Sequence, residues 1–185
     1  MKTVKAIAAI YLCNFLTNVG AELEWQGPVA STFELPLDES HEISRQAFDQ
    51  FPGETWDGIG GGDTDLGNPV SAIGAGVVIF AEEAKSTWGN MVIIRHAYRN
   101  GGGELTFIDS VYAYLLEIFV RVGDEVQLGE KIGAIGKSKD DKDNAKLYFA
   151  IRKKVGGQLN ENDPDDLRRH YHVPSKFIAG FSSSD

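Results

Sequence analysis

The sequence predicts an all-β protein: a small antiparallel β-sandwich or barrel with short irregular N- and C-terminal extensions. Three observations carry this reading. From Pro69 to Arg152 the chain is a dense series of short apolar runs rich in Val, Ile, Tyr and Phe. The turns between them recur at roughly 8–12 residues, the spacing of strands that fold back on one another. Glycine, at 21 of 185 residues, exceeds its usual share of about 7%, and helix signals through this stretch are weak.

The elements follow in order. Met1 to Ala21 has a short basic start (Lys2, Lys5), an apolar stretch from Ala6 to Leu16, and a small-residue ending Val19-Gly20-Ala21. This is the layout of a secretory signal peptide cleaved after Ala21, and Asn14 and Asn18 interrupt it too early for a membrane span. The expected destination is therefore secreted or periplasmic, with no membrane span after cleavage. Cys13 is the only cysteine and lies inside this segment, so the mature chain has neither disulfides nor thiolate ligands and rests on its core. Cleavage removes two lysines and takes the net charge from −9 to −11. With no basic stripe to offset that charge, nucleic acid is excluded as a partner.

Residues 22–50, with Pro28, Pro36 and a polar run from Asp38 to Glu42, predict an extended lead-in. The strands then fall on Pro69 to Ile73, Gly76 to Ala81, Asn90 to His96, Leu105 to Leu115, Ile118 to Val122, Lys131 to Ile135 and Lys146 to Arg152. Two stretches echo each other, Gly67 to Val78 and Val120 to Gly133, each placing glycines around a turn between short β runs. A structure of two related halves needs such corners twice. Residues 51–158 form the domain, and 159–185 a C-terminal extension. In that extension Asp163-Pro164-Asp165-Asp166 suits a short capped helical turn.

Six strings, in this order, resemble the core of the lysostaphin-type (LytM-like) zinc murein endopeptidases. They are Thr64 to Val70, Trp88 to His96, Val111 to Leu115, Val122 to Val126, Lys131 to Gly136 and Leu147 to Arg152. The resemblance covers about residues 51–152. It implies the duplicated hybrid motif fold with an open groove. It also implies an activity, the cutting of peptidoglycan peptides by a zinc ion held by three protein ligands and a water. In the family those ligands come from a His-x-x-x-Asp motif and the second His of His-x-His, while two further histidines assist proton transfer.

Carried over residue by residue, the resemblance places Phe51 and Thr55 at the first motif; a second register would use Trp56 and Gly60. Tyr114 stands at the assisting histidine in Tyr112-Ala113-Tyr114-Leu115, and Lys146 and Tyr148 at His-x-His. Neutral tyrosine and protonated lysine must each lose a proton before binding metal, and phenylalanine offers no donor. The resemblance therefore implies zinc as the family cofactor, but the ligands for it are absent. No cofactor and no catalytic residue are expected here.

Other candidates have plainer readings. His96 ends a strand and suits a structural role; His170-Tyr171-His172 copies His-x-His outside the core and would need a third ligand to bind metal. Asp57, Asp63 and Asp65 among Gly58 and Gly60 to Gly62 lack the alternation of a calcium loop and read as a glycine-rich turn. Phe51, Trp56, Trp88, Tyr114 and Tyr148 either line a retained groove or fill the space left by the metal site.

The reading that follows is a catalytically inactive, exported module that binds peptidoglycan or regulates a cell-wall hydrolase. Two rivals stand beside it. One is an active metalloendopeptidase with displaced ligands such as His41, His170, His172 or the Asp57–Asp65 cluster. The other is a biotinyl- or lipoyl-type carrier, for which Val122 to Val126 and Lys131 to Gly133 fit but no suitably flanked lysine is present.

Overall fold

In a computed structural model, residues 25–84, 87–139, 144–153 and 163–182 are described. The expected signal peptide lies outside them. In chain order the strands are β1 (Val29–Ala30), β2 (His41–Arg45), β3 (Glu54–Gly58), β4 (Pro69–Ser71), β5 (Gly76–Ala84), β6 (Gly89–Arg99), β7 (Leu105–Ile118), β8 (Glu125–Val126), β9 (Lys131–Ile135) and β10 (Leu147–Arg152). Helix α1 (Pro164–His170), β11 (Tyr171–His172) and helix α2 (Pro174–Ser182) follow. The expected all-β class holds.

Strand β7 is the spine. Its 14 residues, dense in β-branched and aromatic side chains, pair with β6 along one edge and β10 along the other, giving the order β2-β3-β10-β7-β6-β5-β8. Its far end, after an irregularity between Leu115 and Glu117, pairs with β9, which also pairs with β4. All these pairings are antiparallel; β1 alone among the described strands runs parallel to its neighbour, β6.

Period-two alternation sorts the side chains of β10 onto two buried faces. Leu147, Phe149 and Ile151 enter the main core with Val92, Ile94, Ile108 and Tyr112. Tyr148 and Ala150 point the other way, into a smaller cluster with Met91, Ala113 and Tyr114. The register also lines up Arg95, Asp109 and Arg152 across three strands. The fully buried Asp109 carboxylate accepts from Arg95 Nε at 2.9 Å and from the Arg152 guanidinium.

The echoing glycine corners pair with one another: β4 with β9, and β5 with β8. Backbone bonds close the clasp, from Ala72 N–H to Glu130 C=O, Gly129 N–H to Ala72 C=O and Val78 N–H to Asp124 C=O. Gly123 (φ +96°) and Gly129 (φ +76°) turn these corners in the left-handed region.

Several elements differ from the sequence expectation, beginning with β1 and β3, which precede the first expected strand at Pro69. The run from Ile118 to Val122 is not a strand: β7 ends at Ile118, Phe119 and Val122 are exposed, and the turn before Gly123 places the strand at Glu125–Val126. In the lead-in, β2 (His-Glu-Ile-Ser-Arg) is a polar edge strand with one side chain in two facing solvent, so apolarity gave no signal. The C-terminal extension is not irregular. Asp163 caps α1 by accepting from Asp165 N–H at 2.9 Å, as its residues suggest, and α2 packs Phe177 and Phe181 against Phe33 at 5.3 and 4.8 Å. A nine-residue helix is marginal alone and forms here on its tertiary partners.

One partner is a charge. The fully buried Glu54 carboxylate accepts from Ser175 Oγ at 2.6 Å, from Ser175 N–H at 3.2 Å and from Trp56 Nε1 at 3.3 Å. It thereby satisfies a free N–H in the first turn of α2 and pins the tail to β3.

His96, expected at a strand end, lies within β6 and belongs to this framework. Its Nδ1–H donates to Ala75 C=O at 2.9 Å and its Nε2 accepts from Ser110 Oγ at 2.7 Å. Burial holds its pKa down to about 4 from 6.5. Below pH 6.5 the unfolded chain takes up a proton that the folded ring refuses, so stability drains as pH falls from about 6.5 to 4. The His96 share is about 3 kcal/mol over that window. Its assigned ring resonances in an NMR pH titration should stay fixed from pH 7.5 to 5; movement centred near 6.5 contradicts this placement.

Candidate functional site

The residues singled out by resemblance meet on the smaller buried face. Gly53 precedes β3 at a place where no side chain fits: a Cβ there would lie 2.5 Å from Phe149 O and 2.7 Å from Tyr148 Cζ. That close approach lets Gly53 N–H donate to Tyr148 Oη at 3.1 Å. Two residues along, Thr55 stands opposite Tyr148, and Tyr148 in turn stands opposite Ala113 on β7.

Tyr114 is the extra residue of a bulge. The β6–β7 register steps from Met91↔Ala113 to Asn90↔Leu115, so Tyr114 falls between the two registered pairs. It adopts φ +66°, in the left-handed region that a bulky aromatic residue rarely enters, and its N–H donates to Trp88 C=O at 3.0 Å. The bulge places Ala113 and Tyr114, consecutive in sequence, in the same cluster.

The rings then close on one another. Trp88 stacks on Tyr114 at 5.5 Å with an interplanar angle of 16° and lies 4.4 Å from Tyr148. Phe51 meets Trp88 edge-on at 5.0 Å and Tyr148 at 6.2 Å. Thr55, Tyr114, Lys146 and Tyr148 are all buried, while Phe51 and Trp88 keep part of their surface accessible. Lys146 lies two residues before Tyr148, on the same side of the chain by strand periodicity, and its N–H donates to Gly136 C=O at 3.0 Å.

Trp56 does not belong to this cluster. It packs in the main core beside Glu54, and Gly60, its partner in the second register, is exposed in a turn. Of the two registers, the one using Phe51 and Thr55 brings its residues to the cluster.

The donor set of this cluster does not fit a zinc ion. Phe51 has no donor atom. Burial pushes the Tyr148 phenol well above its usual range, keeping it neutral, and its oxygen already receives the Gly53 N–H. Lys146 ends in an amine that must lose a proton before it can bind a metal.

The remaining histidines have other employment. His41 Nδ1 contacts Asp38 Oδ1 at 3.0 Å and its Nε2 meets Asn68 Nδ2 at 3.3 Å. His170 Nδ1 donates to Asp166 C=O at 2.8 Å inside α1, while the His172 ring rests on Phe177 at 4.6 Å. Burial, aided by Lys153, holds His172 down to about 4. Asp63 accepts from Lys137 Nζ and from Ala145 N–H, which keep its carboxyl below the usual range, whereas burial raises Asp65. Gly61 and Gly62, at φ +65° and +63°, make the expected turn. Among the described residues no group of three or more His, Cys, Asp or Glu is placed to hold a metal.

The sequence reading missed two features. Tyr171, on β11, packs against the aromatic cluster from the C-terminal extension. The Gly53–Tyr148 bond crosses 95 residues of sequence. For the second a signal existed, because a glycine directly before a β-prone run marks a close backbone approach; for Tyr171 nothing local pointed to β10.

Comparison with known proteins gives three findings. The sequence matches the family described as Peptidase family M23 over residues 56–163. It is 33% identical over 88 residues to the Lipoprotein NlpD/LppB homolog of Pseudomonas aeruginosa, covering 48% of this chain and 26% of that protein. The fold is similar to several solved structures. Lysostaphin from Staphylococcus simulans superposes with a TM-score of 0.52 at 18% identity, covering 86% of this chain and 53% of that one. A zinc-containing peptidase from Vibrio cholerae gives 0.53 at 22% identity, covering 66% and 37%. A chain of the SpoIIQ–SpoIIIAH pore-forming complex gives 0.54 at 20% identity, covering 83% and 98%. The chain thus spans about a quarter of the curated relative and about half of lysostaphin.

Replacing Tyr148 by Phe keeps the ring contacts and removes the acceptor of the buried Gly53 N–H. The urea midpoint should fall by the equivalent of about 1–2 kcal/mol with an unchanged slope. An unaltered midpoint would mean that the bond contributes nothing.

Proposed function

The chain belongs to peptidase family M23, and from that premise we propose that it is a pseudopeptidase: an exported module that keeps the family's fold without its hydrolysis and binds peptidoglycan or regulates a cell-wall hydrolase. The observation that carries this reading is Tyr148. A neutral, buried phenol that accepts the Gly53 N–H and packs against Trp88 stands at the position that the sequence resemblance assigns to a zinc ligand. Phe51 and Thr55 take the places of the other two ligands, and Tyr114 and Lys146 those of the two assisting histidines.

Without a metal-bound water, the cluster has no group poised to attack a peptide carbonyl. What remains suits recognition: partly accessible Trp88 and Phe51 rings and a neighbouring tyrosine, the mixture of apolar faces and polar tips that holds a glycan or peptide strand. The NlpD/LppB relative is by name a lipoprotein, which supports an envelope setting and agrees with the secretory layout of residues 1–21. A chain with this fold is part of a pore-forming complex, so the fold also serves assembly.

The test uses purified insoluble peptidoglycan. Alone, the protein should release no muropeptides; it should either sediment with the wall material, less so as Trp88→Ala, or raise the rate at which a purified wall amidase digests it. Muropeptides released by the chain alone would establish the displaced-ligand peptidase instead, and neither binding nor stimulation would leave the proposal without support.

A further inference from the structure

A second recessed surface lies beside the aromatic cluster, built by the C-terminal extension. It is a cavity of about 430 Å³, within the range that accommodates small ligands. Its apolar walls are Phe48, Tyr171, Val173 and Phe177, and Lys153, Arg168 and Lys176 stand around it. In a chain with net charge −9, three cations converging on one cavity oppose the overall field and create a local positive site.

The geometry keeps those cations facing the cavity. Arg168 stacks its guanidinium over the Phe48 ring at 5.2 Å, an arrangement that leaves its N–H edges for a ligand. Lys153 Nζ donates to Arg168 C=O at 2.9 Å, which holds the ammonium at the rim while leaving it two further protons. Among the described residues no carboxylate forms an ion pair with Lys153, Arg168 or Lys176. The N-terminal turn of α2 does not provide the charge, because Glu54 already occupies it.

The cavity also communicates with the aromatic cluster. Tyr171 lines the cavity and packs against the cluster that holds Tyr148, and the backbone of Phe48, another wall residue, donates to Phe51 C=O at 2.7 Å. An extended chain running past Phe51 and Trp88 would therefore reach the cations within a few residues.

We infer that this pocket binds the terminal carboxylate of a peptide, with the last side chains lying against Tyr171 and Phe177 and the carboxylate held by Arg168, Lys176 and Lys153. A carboxylate matches the guanidinium fork, and apolar walls on either side suit short side chains better than they suit a bare inorganic anion. This deepens the proposed role in peptide recognition but does not depend on the aromatic cluster being inactive: cleavage at that cluster would leave the pocket's prediction untouched.

The test is an NMR titration of the labelled full chain with N-acetyl-alanyl-alanine at millimolar concentrations, beside its C-terminal amide and inorganic phosphate. The free acid should shift the amide signals of Lys153, Tyr171, His172 and Lys176. The amide should bind at least about tenfold more weakly. In the double variant Arg168→Gln, Lys176→Gln, binding of the acid should fall by a similar factor. Equal binding of acid and amide, phosphate binding without dipeptide binding, or no shift at these residues would each overturn the inference. Should the dipeptide fail while the protein still sediments with wall material, the pocket is wrong and the proposed function stands.

Discussion

The bond from Gly53 N–H to Tyr148 Oη fixes the character of the whole site. Tyr148 stands where β3, β7 and β10 lie side by side, so its ring and hydroxyl are bounded by Thr55 and Ala113 across the ladders and by Trp88 and Phe51 above. A phenol in that position occupies the centre of the face and is satisfied by a backbone donor. Tyr114 then has to approach from β7, and the strand accommodates it with a bulge at φ +66° that costs on the order of 1 kcal/mol or more. Strain of this kind persists where the surroundings over-determine it, and here the surroundings are the Trp88 ring and its carbonyl.

Adjacent residues on β3 connect this face with the other side of the molecule. Thr55 faces Tyr148, while its neighbours Glu54 and Trp56 serve the main core and the docking of α2. The Glu54 carboxylate is a costly group to bury, and it is matched by three donors, two of them on Ser175. Through it the C-terminal extension becomes part of the domain and carries Tyr171 to the aromatic cluster and Arg168 and Lys176 to the cavity beside it. The two surfaces thus share a framework but have different chemistry, one aromatic and nearly neutral, the other basic.

Much of this was legible in the sequence, and what was not has identifiable reasons. The strands β4 to β7, β9 and β10 announce themselves through β-branched and aromatic runs, and the echoing glycine corners pair with each other. The residues proposed as substituted were picked out through neighbouring strings such as Tyr112-Ala113-Tyr114-Leu115, and the fold brings Thr55, Tyr114 and Tyr148 to one face. Strand β2 could not, because its residues are polar and an edge strand needs no apolar face. Helix α2 was hidden because Phe177, Ile178 and Phe181 gain their meaning from Phe33, Tyr98 and Glu54, all more than 75 residues away. Trp56 was misplaced among the groove residues because strand alternation sends it to the main core, opposite Thr55.

The most direct test is the zinc content of the purified full chain after equilibration with zinc and removal of unbound ion. On the proposed assignment of Tyr148, Thr55 and Phe51 to the family's ligand positions, the account predicts metal far below one equivalent, and no gain in thermal stability from added zinc. One tightly held equivalent, with a zinc-dependent rise in Tm, would contradict it and place a metal centre somewhere in this chain.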